Sequence, residues 1–169
     1  MARSVEQFLE EVAQRGSWLG GGSVVALSTA LSAALLEKLI QDPGMSRRLR
    51  AIRQQCVDLI DEDAQTFAHV IEATRTHNRR TFTRALKRAT EVPCRLFEHV
   101  QAMQQFARRT QRTIHPRLQS DVRCAIALAQ AAGVGARTLI NTNLTWLHDR
   151  PYTRSIQQRL QAATRTAAR

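Results

Sequence analysis

One aspartate interrupts an otherwise apolar helical stripe. Leu49, Ile52, Cys56, Leu59, Ile60, Phe67, Val70 and Ile71 recur at helical spacing, and Asp63 falls among them, one turn after Leu59 and one before Phe67. Asp58, Asp61 and Glu62 turn progressively away from the stripe. A carboxylate in such a place is costly to leave ionised without a hydrogen bond or a cation beside it. Two causes fit the spacing equally: acid/base or electrostatic work on a ligand, or a structural role capping a neighbouring helix or pairing an internal arginine. Asn143 interrupts a second apolar stripe, Ala125, Leu128, Ala129, Ala132, Ala136, Leu139, Ile140 and Leu147. A third feature is the triplet Gly20-Gly21-Gly22 with Ser23, which opens directly into an apolar run. A helix start presents unpaired N–H groups and partial positive charge, and glycines let a ligand approach them, so this end suits an anionic group. The plainer reading is a tight turn into a buried helix.

Other chemistries lack their residues. The glycine triplet has no Lys-Ser/Thr to make a P-loop, Ser23 has no nucleophile-elbow flanks, and Gly133-Val134-Gly135 follows no strand. The five histidines show no paired ligand spacing and no cysteine accompanies them, so no metal site is expected. Carboxylate chemistry remains.

The elements that must hold these residues are all helical. The run from Leu19 to Leu36 is charge-free and apolar on every side, which predicts a central helix without a solvent face. Ser4 and Gln7 make a capping box for a first helix with Val5, Phe8, Leu9 and Val12 on one face, stopped by Gly16. Asp42-Pro43-Gly44 signals a turn, with Ser46 starting the long helix that carries Asp63. Thr76, His77 and Asn78 interrupt the pattern; Phe82 to Ala89 and Leu96 to Ala107 then read as two helices restarted or kinked at Pro93. Ser120-Asp121 opens the next long helix as N-cap and acidic first position, and the tail from Arg154 keeps helical spacing. No strand pattern competes. The expectation is an all-α bundle of about seven helices, one domain over residues 1–169.

The net charge of +11 and pI near 11.3 come from arginines spread over most helices, which favours acidic partners in general. With few aromatics and no compact basic segment, nucleic acid is disfavoured. The apolar run approaches spanning length, but Ser23, Ser28, Thr29 and Ser32 dilute it and no membrane role is expected. Three scattered cysteines and an N-terminus without a secretion pattern suggest a cytoplasmic setting.

Taken in order, FLEEV, GGGSVVALSTALSAAL, DEDAQTFAHVIEA, RALKRATEVP and SDVRCAIALAQAAGVGA running on to NTNL resemble the cyclodeaminase/cyclohydrolase family of folate one-carbon enzymes. The resemblance implies a helical homodimer acting on a tetrahydrofolate derivative, with or without a polyglutamate tail, and no cofactor beyond the folate substrate. Its first implied activity is methenyltetrahydrofolate cyclohydrolase. Formiminotetrahydrofolate cyclodeaminase and a catalytically silent ligand-binding or scaffold member are the alternatives. Carried over by position, it implicates Asp63 and Asp121 in catalysis and Gly20, Gly21, Gly22, Ser23, Ser120 and Asn143 in substrate binding. The chain departs from the family pattern at Leu19, where a proline is usual, at Ile114-His115, where Gly-Asn is usual, and at Leu139, where an asparagine is expected. These departures are expected around the ligand pocket.

Overall fold

The computed structural model describes residues 4–168, the side chains at positions 112, 113 and 168 excepted. Among the described residues there are six α-helices, one 3-10 turn and no strand: α1 (Val5–Ala13), α2 (Gly21–Leu39), α3 (Pro43–Arg75), α4 (Arg79–Thr113), α5 (Gln119–Leu147) and α6 (Arg150–Ala168). The all-α bundle expected from periodicity is what forms. Six helices replace the seven anticipated because Pro93 neither ends nor restarts one; it sits inside α4. A proline removes one i→i−4 hydrogen bond and normally breaks a helix. Here Val92, Cys94, Leu96 and Phe97 around it are almost wholly buried, and their packing holds the helix together across the gap.

Local chemistry sets the other boundaries. The Ser4–Gln7 capping box is present at α1. Asp42-Pro43 is no free turn but the start of α3: the Asp42 side chain accepts from the Met45 N–H, and Pro43 occupies the first helical position. His77 takes a left-handed φ of 52° between α3 and α4, and Asn78 caps α4 by accepting from the Thr81 N–H. The N-cap expected at Ser120 is displaced. The 3-10 turn Pro116–Leu118 runs straight into α5 at Gln119, so Ser120 lies inside the first turn and is exposed.

Helices α2, α3, α4 and α5 enclose one hydrophobic core. α2 packs antiparallel to α5, since Gly21 faces Leu139, Gly135 faces Val25, and the Ser32 hydroxyl donates to the Ala125 carbonyl. The absent side chains of Gly133 and Gly135 permit this closeness; a Cβ on Gly135 would stand 2.6 Å from a Val25 methyl. α2 does keep a solvent face, contrary to its all-round apolarity: Val24 is 39% and Leu31 51% exposed. α1 buries Phe8 and packs Val12 partly against the core, leaving Val5 and Leu9 outside.

α6 is fastened to α4 by polar contacts. The Arg159 guanidinium forks onto Glu98 and Glu91 at 2.6–2.9 Å, and the Tyr152 hydroxyl donates to Glu91 or the Lys87 carbonyl. These carboxylates hold the Arg159 pKa above its ordinary value, Glu98 more than Glu91. The pairs are half-exposed, so the expected cost of Arg159→Ala is about 1 kcal/mol in urea unfolding, with the loss concentrated in amide-exchange protection of α6.

Candidate active site

The loop before α2 and the facing portions of α3, α4 and α5 surround a cavity of about 570 Å³ at one end of the bundle. Its floor holds Gly20, Gly21, Gly22 and Asp63; α5 contributes Leu139, Thr142, Asn143 and Trp146. Phe67, Val70 and Ile71 come from α3 and Phe82, Leu86, Ala89 and Pro93 from α4. The residues singled out by spacing therefore share one cavity: Asp63, the glycine triplet and Asn143. Periodicity places them on helices; only packing brings helices 80 residues apart in the chain to one mouth.

Asp63 is held by α2. Its carboxylate accepts from the Ser23 hydroxyl at 3.0 Å and from the Ser23 backbone N–H. Gly20, the N-cap of α2, has no side chain to satisfy that donor, so Asp63 caps the helix from across the core. Gly22 makes room for it: a Cβ there would lie 2.0 Å from Asp63 Oδ1. The anion expected at the glycine N-terminus is thus supplied first by the protein itself. The helix-capping reading of Asp63 is realised, and the same side chain lines the cavity.

Ser23 is not a wall residue of the cavity. It is wholly buried, with its oxygen 3.1 Å from the Ile60 carbonyl and 3.0 Å from Asp63 Oδ2. A hydroxyl has one proton and two lone pairs. With Asp63 ionised, Ser23 donates to it; with Asp63 protonated, the acid can donate to Ser23 while Ser23 turns its proton to Ile60. Both states of the carboxyl find a partner, which suits a group that gains and loses a proton.

Burial raises the Asp63 pKa above the ordinary 3.8, and the two Ser23 hydrogen bonds oppose that rise without cancelling it. The fold thus favours the neutral acid relative to the unfolded chain. The stability this supplies is present at low pH and is lost as pH climbs through the elevated value.

Ser120 and Asp121 lie elsewhere. Asp121 pairs with Lys38 at 3.4 Å near the C-terminus of α2, roughly 25 Å along that helix from the glycines at 1.5 Å per residue. Of the departures, Leu139 lines the cavity and Leu19 is buried beside it in sequence, but Ile114 and His115 end α4 about 30 Å beyond Pro93 by the same rise. They do not surround the cavity as expected. Spacing alone missed the aromatic rim. The two tryptophans of the chain, Trp18 and Trp146, both line the cavity, and Trp18 meets Phe67 edge-on at 6.3 Å. Their scarcity was the available signal.

The family model for formiminotransferase-cyclodeaminase matches residues 43–162, from the start of α3 into α6. The chain belongs to that family. The matched stretch of this cyclodeaminase-family chain contains Asp63, Pro93, Asp121 and Asn143 and begins after the glycine loop. Among solved structures, formiminotetrahydrofolate cyclodeaminase from Thermotoga maritima is similar to it with a TM-score of 0.88 at 22% identity, covering 98% of this chain and 90% of that one. That likeness establishes the shared fold. No curated protein matches.

The glycines of this family member differ sharply in their surroundings. Gly22→Ala should cost about 1–3 kcal/mol by thermal or urea unfolding and displace Asp63, since overpacking against a fixed carboxylate has no easy relief. Gly20→Ala, with nothing within 4 Å and an extended backbone, should stay within about 0.5 kcal/mol of wild type.

Proposed function

We propose that this chain is a folate one-carbon enzyme that makes or consumes the 5,10-methenyl ring of tetrahydrofolate, with Asp63 as its proton carrier. One observation carries the reading: Asp63 is the only ionisable side chain among the described residues lining a cavity that is mostly apolar and aromatic. A desolvated carboxylate stabilises a cationic one-carbon unit and moves protons at the same atom.

In cyclodeamination, N10 of formiminotetrahydrofolate, whose formimino group enters protonated, attacks the formimino carbon and gives its proton to Asp63. Asp63 returns that proton to the departing amine, ammonia leaves, and the N5–C–N10 methenyl cation closes. In cyclohydrolysis, Asp63 takes a proton from the water that attacks the methenyl carbon. The C–N5 bond then breaks, N5 takes up a proton, and 10-formyltetrahydrofolate results with net release of one proton. Cyclodeaminase activity has the support of the matching family and of the similar Thermotoga maritima cyclodeaminase. The cyclohydrolase reading rests on Asp63–Ser23 being suited to activating water. Ser23 acts as a positioning residue, Asn143 orients the pterin, and no cofactor beyond the folate is required.

Following methenyltetrahydrofolate absorbance, with formiminotetrahydrofolate as substrate in one direction and methenyltetrahydrofolate in the other, tells the two reactions apart. Asp63→Asn should lower kcat by about 100-fold or more in whichever reaction the wild type performs. Because the base must be ionised, the acidic limb of the kcat–pH profile should lie above the ordinary aspartate value of 3.8. Wild-type inactivity with both folates, or an undiminished Asp63→Asn enzyme, rejects the reading.

We infer that the working form is a homodimer. Val24 and Leu31 of α2 and Val134 of α5 are exposed apolar side chains on two adjacent helices, and α2 carries no charge from Gly21 to Leu36. A two-fold axis perpendicular to α2 across this face would run the paired helices antiparallel, taking the Ser120–Asp121 end of one copy toward the cavity end of its mate. That placement gives Asp121 a route to the substrate that one copy alone lacks. Sedimentation should find a wild-type dimer and a folded Leu31→Glu monomer; a monomeric or vesicle-bound wild type overturns the inference.

A further inference from the structure

Pro93 is among the costliest residues a helix interior can hold, yet α4 keeps it in a fully packed segment facing the cavity. It has no N–H. The carbonyl of Ala89, four residues earlier, therefore lacks its usual helical donor. Helix carbonyls point toward the C-terminal end, so this oxygen is directed at the turn occupied by Pro93. Ala89 and Pro93 both line the cavity, so the acceptor released by Pro93 belongs to the stretch of α4 that borders it.

The remaining polar wall has the same bias. The hydroxyls of Thr66, Thr74 and Thr142 each donate to a backbone carbonyl of their own helix, so what they retain for a ligand is acceptor capacity. The first N–H groups of α2 sit beside the Asp63 carboxylate, which screens them from an incoming anion. Asn143 is the one side-chain amide, and no Lys, Arg or His is found among the described lining residues. The Asn143 amide and the indole N–H groups of Trp18 and Trp146 are the side-chain donors of this wall, which carries no positive charge. A cationic ligand that brings N–H donors matches its acceptors and its single negative charge.

We propose that the Ala89 carbonyl unlocked by Pro93 is a substrate-binding acceptor, and that with Asp63 it makes the cavity a receptor for planar cations bearing N–H donors, amidinium in chemical class. This deepens the folate reading, since a protonated formimino group is an amidinium, but it concerns recognition rather than turnover. Pro93 is in this view a specificity-determining residue whose cost to α4 is balanced by ligand binding. Trp18 and Trp146 supply the flat walls against which such a cation stacks.

The test uses small probes and the intrinsic fluorescence of the chain's two tryptophans, both of which border the cavity. Benzamidinium should bind the full chain about tenfold more tightly than phenyltrimethylammonium, which has the same charge and no N–H, while benzoate should not bind. Pro93→Ala restores the helical donor to Ala89. It should raise the thermal midpoint, cut benzamidinium affinity by about tenfold and leave phenyltrimethylammonium unchanged. A merely structural proline would not move stability and affinity in opposite directions. Equal binding of the two cations, absence of benzamidinium binding, or discrimination that survives Pro93→Ala overturns the proposal. The wild-type comparison stands whether or not the variant folds. Amidinium selectivity in a protein that turns over neither folate would sink the folate reading alone; turnover without selectivity would sink this one alone.

Discussion

The contact between the Asp63 carboxylate and the first turn of α2 is the constraint on which the arrangement depends. A helix beginning with three glycines has no side chain of its own to satisfy its leading N–H groups. Asp63, from the middle of α3, supplies that cap through Ser23. The interaction fixes where α3 crosses α2, requires Gly22 to have no Cβ, and leaves the carboxylate exposed on its other side to the cavity. One group thereby joins two helices and supplies the cavity's charge.

Electrostatics inside and outside the cavity have opposite signs. The chain as a whole is strongly basic, with arginines on most helices, whereas the described lining of the cavity is apolar apart from one acid, a few hydroxyls and an amide. Several arginines are engaged away from the cavity: Arg50 and Arg53 hold Glu37, lowering its pKa, Arg95 pairs with Glu62, and Arg159 holds Glu91 and Glu98. Asp63 is left without a neutralising cation, and its raised pKa follows from burial. The field outside the cavity is attractive to anions, whereas the charge inside it is attractive to cations.

Pro93 and Ser120 show how tertiary context overrides local signals. A proline in mid-sequence reads as a boundary because it removes a hydrogen bond, but a boundary forms only when packing does not hold the next turn in place. Val92, Cys94 and Leu96 do hold it, and α4 continues. Ser-Asp before an apolar run reads as a cap, yet Pro116 starts a 3-10 turn early enough that the helix is already under way at Ser120. The exposed face of α2 is a third case. All-round apolarity says that a helix avoids water, without saying whether the cover comes from the same chain.

The amino-acid order by itself determined the all-helical class, most of the apolar stripes and the oddity of Asp63 and Asn143, because periodicity and capping are local properties carried by residues within a few turns of one another. It also carried enough family pattern to indicate a cyclodeaminase-like bundle. Which interruptions meet was decided by the packing of α2 against α3 and α5. That packing places Asp63, the glycines and Asn143 in one cavity, and leaves Ser120, Asp121, Ile114 and His115 at a distance. Helix crossings depend on how side chains interlock over the whole core, and a carboxylate becomes a site only when the neighbours that desolvate it come from other parts of the chain.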